Sequence, residues 1–225
     1  MTLRTRLKYP LKESKAKNKY LSEEQMSTLM QIVYDRIRID RTALYVFIVE
    51  HATGMRIGEI LALTNDDIDL DNRIIHIRHS LDYVKTKQIK TTKNESSVRD
   101  IVIDPTTTTY LNEIMEDRKN LPRSKKINPN GFIFFNRATQ VPISWNNVQK
   151  VLDKLCEQVQ VTRITTHGFR HSHVSYLLNH DIYDQHVAER VGHADTTMIR
   201  KVYDHVLDEL KQSPNRKIVD LMDKK

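Results

Sequence analysis

Two arginines stand where helix electrostatics argue against them. Arg56 follows Gly54 and is expected to open a helix over 56–63, and Arg170 falls in the first turn of a helix that begins at His167 behind a Thr166 cap. Helix N-termini carry partial positive charge, so a cation there costs about a few tenths of a kcal/mol. The arrangement becomes sensible if an oxyanion sits between the two guanidiniums. The bland alternative for Arg56 is an ion pair with Glu59, three residues on.

His167 and Arg170 form an HxxR pair, but ten histidines and 17 arginines in 225 residues supply about one such pair by chance. Alone it carries nothing. His167, His171 and His173 invite a metal reading, because histidines at i and i+4 share a helix face. No cysteine or carboxylate cluster lies nearby, and the glutamate of an HExxH site is absent, so no metal is expected. Tyr203 belongs to the stripe Ile199, Tyr203, Val206 and Leu210, which by itself reads as an aromatic packed with its hydroxyl at the surface. Lys93, taken singly, is a solvated cation.

The elements that must position these groups start at Ser22. Ser22-Glu23-Glu24-Gln25 is a capping box, and Met26, Leu29, Met30 and Val33 follow at helical spacing, predicting a helix near 22–37. Asp40 is expected to cap a second helix, which Gly54 ends, and Ile57, Ile60, Leu61 and Leu63 mark a third. The texture then turns β-branched. Strands are expected over Arg73–Arg78, Ser80–Ile89 and Val98–Ile103, the last closed by Pro105, with Lys90–Ser97 as a hairpin loop. Helix resumes over 106–119, Phe132–Phe135 reads as a further short strand, and helices are expected over 144–160, 167–179, 183–191, 195–206 and from 207 on. The architecture is α+β, mostly α: one domain with a small antiparallel sheet beside a helical bundle.

Composition bounds the partners. With 39% hydrophobic and 29% charged residues the chain is an ordinary globular one, and it has neither a run of ~18 apolar residues nor the form of a secretory signal. A cytoplasmic protein is expected. The single cysteine, Cys156, excludes an internal disulfide and a cysteine-based zinc module. Of the net charge of +7, residues 1–20 contribute +6 through Arg4, Arg6, Lys8, Lys12, Lys15, Lys17 and Lys19 against Glu13. A basic, hydrophobe-poor arm on a nearly neutral body points to a polyanion.

Taken in order, five segments resemble the catalytic domain of the tyrosine recombinases, also called the phage integrase family. They are Ala52-Thr53-Gly54-Met55-Arg56-Ile57-Gly58-Glu59-Ile60; Thr92-Lys93 with Ser96-Ser97-Val98-Arg99; His167-Gly168-Phe169-Arg170-His171-Ser172-His173; Val191-Gly192-His193; and Thr197 leading to Tyr203-Asp204-His205. Each is weak and the ordered set is strong. The resemblance covers residues 20–210 and implies six catalytic positions: Arg56, Lys93, His167, Arg170, His193 and Tyr203. Lys93 is preferred to Lys85, Lys87 and Lys90 because its six-residue spacing to Arg99 fits the family pattern. Glu59 is expected to support the arginines.

By the same resemblance, Tyr203 attacks a DNA phosphodiester to form a 3′-phosphotyrosine, with no metal, ATP or other cofactor, in the integration or excision of a phage or mobile element. Double-stranded DNA is the expected partner, bound by a homotetramer, although this chain by itself could be a monomer. A type IB topoisomerase or a resolvase would use the same chemistry, and a non-cleaving DNA-binding module is the alternative of another class. The expected layout is a basic linker from a preceding core-binding domain at 1–20, the catalytic domain at 21–210 and a tail at 211–225. Ile218, Val219, Leu221 and Met222 could pack that tail in cis or on a neighbour.

Overall fold

In a computed structural model, residues 20–83, 88–91, 97–121 and 127–193 are described, together with positions 196 and 199. The first helix, α1 (Glu23–Arg36), begins as its capping box requires: the Gln25 N–H donates to Ser22 Oγ and the Gln25 side chain accepts from the Ser22 N–H. Met26, Leu29, Met30 and Val33 form its buried stripe. The next helix, α2 (Thr42–Thr53), is buried on nearly every side from Thr42 to Glu50. That is the pattern of a central helix, and α1 and four later helices pack around it. Its cap differs from expectation. Arg41 holds the N-cap position without a side-chain bond, and Asp40, one residue before it, pairs through Oδ1 with Arg38 Nε at 3.2 Å.

Gly54 ends α2 with φ of 63°, and the chain enters the short α3 (Ile57–Leu61) through Arg56, which is extended rather than helical. A turn leads to β1 (Ile68–Asp69), which pairs with β2 (Ile74–Ile77); β5 (Arg99–Val102) flanks β2 on its other edge, all antiparallel. The expected single strand Ser80–Ile89 is instead two, β3 (His79–Leu81) and β4 (Ile89–Thr91), folded on each other with Leu81 opposite Ile89. Leu81 and Tyr83 pack on the core, but Lys85, Thr86, Lys87 and Gln88 that follow them in sequence offer no apolar side chain to continue the strand. Asp82 donates its N–H to the Gln88 carbonyl and pairs with Lys90, which lies in β4 and not in a loop.

Among the described residues four more helices follow β5, the first three being α4 (Pro105–Lys119), α5 (Trp145–Gln158) and α6 (Thr166–Asn179). Pro105 does not merely close a strand, since it is the first residue of α4, capped by Asp104. Ser144 caps α5, and Thr165, not Thr166, caps α6 by accepting the Gly168 N–H. Thr166 is occupied elsewhere: its hydroxyl accepts Trp145 Nε1 at 3.2 Å. Phe132–Phe135 is buried but forms only isolated bridges, Thr64 to Phe132 and Phe135 to Pro142, so it is no strand. The last described helix, α7 (Asp184–Val191), packs with α6 around a small second core of Val174, Leu178, Val187, Ala188, Val191 and Ile199. Apart from Thr196 and Ile199, the expected helix 195–206 and the piece from 207 lie outside the described residues.

Candidate active site

The site is built where the C-terminal ends of α2 and α7 meet the start of α3 and the second turn of α6. Arg170 is 1% exposed. Its Nη1 donates to the Gly54 carbonyl and its Nη2 to the Val191 carbonyl, each at 2.6 Å. Arg56 donates Nη1 to Glu59 Oε1 and Nη2 to the Gly192 carbonyl, both at 2.8 Å. Arg170 therefore reaches the negative ends of both α2 and α7, and Arg56 that of α7. Because α6 starts at Thr166, Arg170 lies in its second turn and not in the first, so the expected dipole penalty falls mainly on Arg56. The bland pairing of Arg56 with Glu59 is also present. A guanidinium has five N–H donors, so each arginine keeps several after these anchoring bonds.

The surroundings fix the charge states. Burial, then Arg56, lower the pKa of Arg170 to about 9, which still leaves it charged at neutral pH. Burial alone would raise the Glu59 carboxyl, but Arg99 and then Arg56 outweigh it and hold Glu59 ionised. His167, on the exposed edge of α6, is biased toward neutral imidazole by packing around its ring, then by Arg170 and Arg56. Gly192 ends α7 with φ of 67° and turns the chain so that His193 follows. Partial burial, then Arg170, Arg56, His171 and His167, push His193 down to about 4. Its Nδ1 is buried and bonds no protein group among the described residues.

Arg56, Glu59, His167, Arg170 and His193 thus share one neighbourhood. Lys93 and Tyr203 lie outside the described residues. The three histidines of the α6 motif part company: His167 and His171 meet edge to face with centroids 4.3 Å apart, whereas His173 is buried and bonds the His51 carbonyl through Nδ1 at 2.7 Å. Among the described residues no three His, Cys, Asp or Glu side chains gather as a metal site would require. What the groups can do together is hold an oxyanion, with two fixed guanidinium charges and neutral imidazoles beside it.

The sequence profile of the phage integrase family matches residues 19–209. The chain belongs to that family. It is 31% identical over 179 residues to the integrase of Staphylococcus phage L54a, covering 77% of this chain and 51% of the relative. A probable integrase of prophage ps2 from Lactococcus lactis subsp. lactis (strain IL1403) is 30% identical over 223 residues, covering 94% of this chain and 56% of the relative. The chain thus spans about half the length of these integrases. Among solved structures, the Tn1549 transposon integrase in complex with transposon right end DNA superposes with a TM-score of 0.69 at 18% identity, covering 90% of this chain and 68% of that one. XerA recombinase gives 0.65 at 19%, covering 87% and 64%. The fold is that of a tyrosine recombinase catalytic domain.

Two site residues carried no expected role. Arg99, cited only as a spacing marker, is buried against Glu59, and Arg190 donates Nη2 to the Ala52 carbonyl at 2.9 Å. Arginine in the last turn of α7 is favourable to the dipole, so Arg190 broke no local rule that could have singled it out.

Buried neutral histidine makes stability depend on pH. Desolvation lowers the His173 pKa to about 3. Below pH ~6.5 the unfolded chain binds a proton that folded His173 refuses, so stability falls with pH by up to about 1.4 kcal/mol per unit until the folded value is reached. His51, His167 and His193 act in the same direction, and Glu50, fully buried and raised, acts in the opposite one. The difference in unfolding free energy between wild type and His173→Asn should therefore change by about that slope between pH 6.5 and 5, read by urea unfolding. Parallel curves would remove His173 from the account.

Proposed function

We propose that the chain is the catalytic part of a site-specific DNA recombinase serving a phage or other mobile element. Its domain would span 21–210, preceded by a basic DNA-contacting segment at 1–20 and followed by a tail at 211–225. The observation that carries this reading is the fixing of Arg56 and Arg170 on adjacent carbonyls at one helix end, that of α7, with His167 and His193 within their electrostatic reach. Both relatives named above are integrases or probable integrases, and the Tn1549 neighbour is a DNA complex, which supports double-stranded DNA as the partner. Assembly as a homotetramer on DNA, in the cytoplasm, belongs to the same proposal.

In this reading Tyr203 Oη attacks the scissile phosphorus, forming the O–P bond while the bond to the 5′ oxygen breaks. The phenol, with an ordinary pKa of ~10, must lose its proton as it attacks, and neutral His167 accepts it. Arg56 and Arg170 hold the non-bridging oxygens with planar, permanently charged forks, and His193 donates to one of them. Lys93 protonates the departing 5′ oxygen. Bond energy stays in the phosphotyrosine ester, so reattack by a 5′ hydroxyl of a new partner reverses the step without ATP, metal or other cofactor.

The test is a duplex nicked beside the scissile phosphate, so that the leaving strand diffuses away. A protein–DNA adduct that resists denaturant and forms with EDTA present is expected, and after nuclease digestion the nucleotide should map by peptide mass spectrometry to Tyr203. Binding without any adduct would instead make the chain a non-cleaving DNA-binding module. Exchange between two short specific sites would separate a recombinase from a type IB topoisomerase, which relaxes supercoiled DNA without one.

A further inference from the structure

Arg99 opens β5 and makes more bonds into the site than either arginine assigned to phosphate. Nη2 donates to Glu59 Oε2 at 3.0 Å and Nη1 to Oε1 at 3.4 Å, while Nε donates to the Arg190 carbonyl at 2.7 Å and Nη1 also to the Ser97 carbonyl at 3.1 Å. Its side chain is 8% exposed. Each Glu59 oxygen is thus shared between the two arginine residues: Oε1 with the Arg56 guanidinium through Nη1, Oε2 with the Arg56 backbone N–H. The α7 terminus rests on the same guanidinium. A Cβ at Gly192 would lie 2.6 Å from Arg99 Nη1 and 2.9 Å from Cζ, so the turn ahead of His193 can sit where it does only without a side chain.

We propose that Arg99 is a positioning residue of the phosphoryl-transfer site, aiming Arg56 through Glu59 and setting the His193 turn through the Arg190 carbonyl. The inference rests on the recombinase reading. A further buried cation beside Arg170 and the half-exposed Arg56 is electrostatically unfavourable, and Arg56 alone would neutralise Glu59. What Arg99 adds is geometry: with one oxygen of the carboxylate held on each of its nitrogens, Glu59 cannot swing, and Arg56 is bonded to a fixed plane. Lysine would keep the charge and lose the fork, since one ammonium cannot span a carboxylate and a carbonyl on separate nitrogens.

The test compares single-turnover cleavage of the nicked duplex with that of the same duplex carrying a methylphosphonate at the scissile position. The methyl group removes the non-bridging charge that Arg56 is placed to meet. Arg99→Lys should slow cleavage of the phosphate substrate by about 10²-fold, as misplacement by about an ångström does. On the methylphosphonate the gap to wild type should shrink at least tenfold, with Arg56→Ala showing the same contraction. Because both rates are read in one preparation, any unfolded fraction scales them equally and cancels from the ratio. An equal defect on both substrates, or a wild-type rate on phosphate, would overturn the role of Arg99. Should Arg56→Ala itself cleave both substrates like wild type, it is the recombinase reading that fails; contraction in Arg56→Ala but not in Arg99→Lys sinks this inference alone.

Discussion

Arg170→Gln is expected to lower the rate of covalent adduct formation by about 10³-fold, the upper range for losing one preorganised oxyanion donor. Two effects combine. The fixed charge facing the phosphoryl oxygens disappears, and the fork that joins Gly54 at the end of α2 to Val191 at the end of α7 is cut. Glutamine offers one amide nitrogen, so at least one buried carbonyl is left unpaired at a cost of about 1–3 kcal/mol. The turn that leads to His193 loses one of its three arginine anchors in the same step, keeping Arg56 on the Gly192 carbonyl and Arg99 on the Arg190 carbonyl. Arg170→Lys should also fall far short of wild type, because the retained charge cannot reach both carbonyls and a phosphate with one point donor. Single-turnover cleavage with parallel urea unfolding separates the two contributions: a small drop in stability with the full loss of rate assigns the effect to charge. A lysine variant cleaving near the wild-type rate would contradict the bridging role.

How far the sequence discloses this site depends on whether a signal is local. The Ser22 box, the α1 stripe and the Gly54 stop are settled by neighbours within four residues, and each stands in the structure where the spacing puts it. The caps that differ are those with rivals. Asp40 pairs with Arg38 and the Thr166 hydroxyl accepts from Trp145, while Arg41 and Thr165 stand at the cap positions. Ser80–Ile89 has the residue types of a strand, yet its polar centre makes a hairpin the better solution. The two arginines were visible because the sequence puts each close to a helix start, but the carbonyls that hold them lie far along the chain, 116 and 21 residues from Arg170 and 136 from Arg56. No window along the chain contains that geometry. Arg99 stayed hidden for the same reason: a strand arginine offends no local rule, and its carboxylate partner is 40 residues away.

Gly54→Ala should destabilise the fold by about 3–4 kcal/mol, a large share of a typical stability of ~5–15 kcal/mol. Part of the cost is conformational. At φ of 63° an L side chain is strained by about 1–2 kcal/mol. The remainder is overlap: the new Cβ would collide with Cδ2 of His173 and lie 3.1 Å from its Cγ and Nε2. That ring cannot move aside cheaply, since it is 6% exposed and tied to the His51 carbonyl. Gly131→Ala supplies the calibration, because Gly131 has φ of 69° and a Cβ added there would meet nothing within 4 Å, leaving strain without collision. The excess of Gly54→Ala over Gly131→Ala, read by urea unfolding, is therefore the cost of the collision, and adding His173→Ala to Gly54→Ala should recover much of it. Activity should fall as well, because the Gly54 carbonyl is the acceptor that holds Arg170 Nη1, and a backbone pushed off His173 carries that acceptor with it. If the two glycine variants prove equally stable, the close approach of α6 to the end of α2 is not what excludes a side chain at position 54.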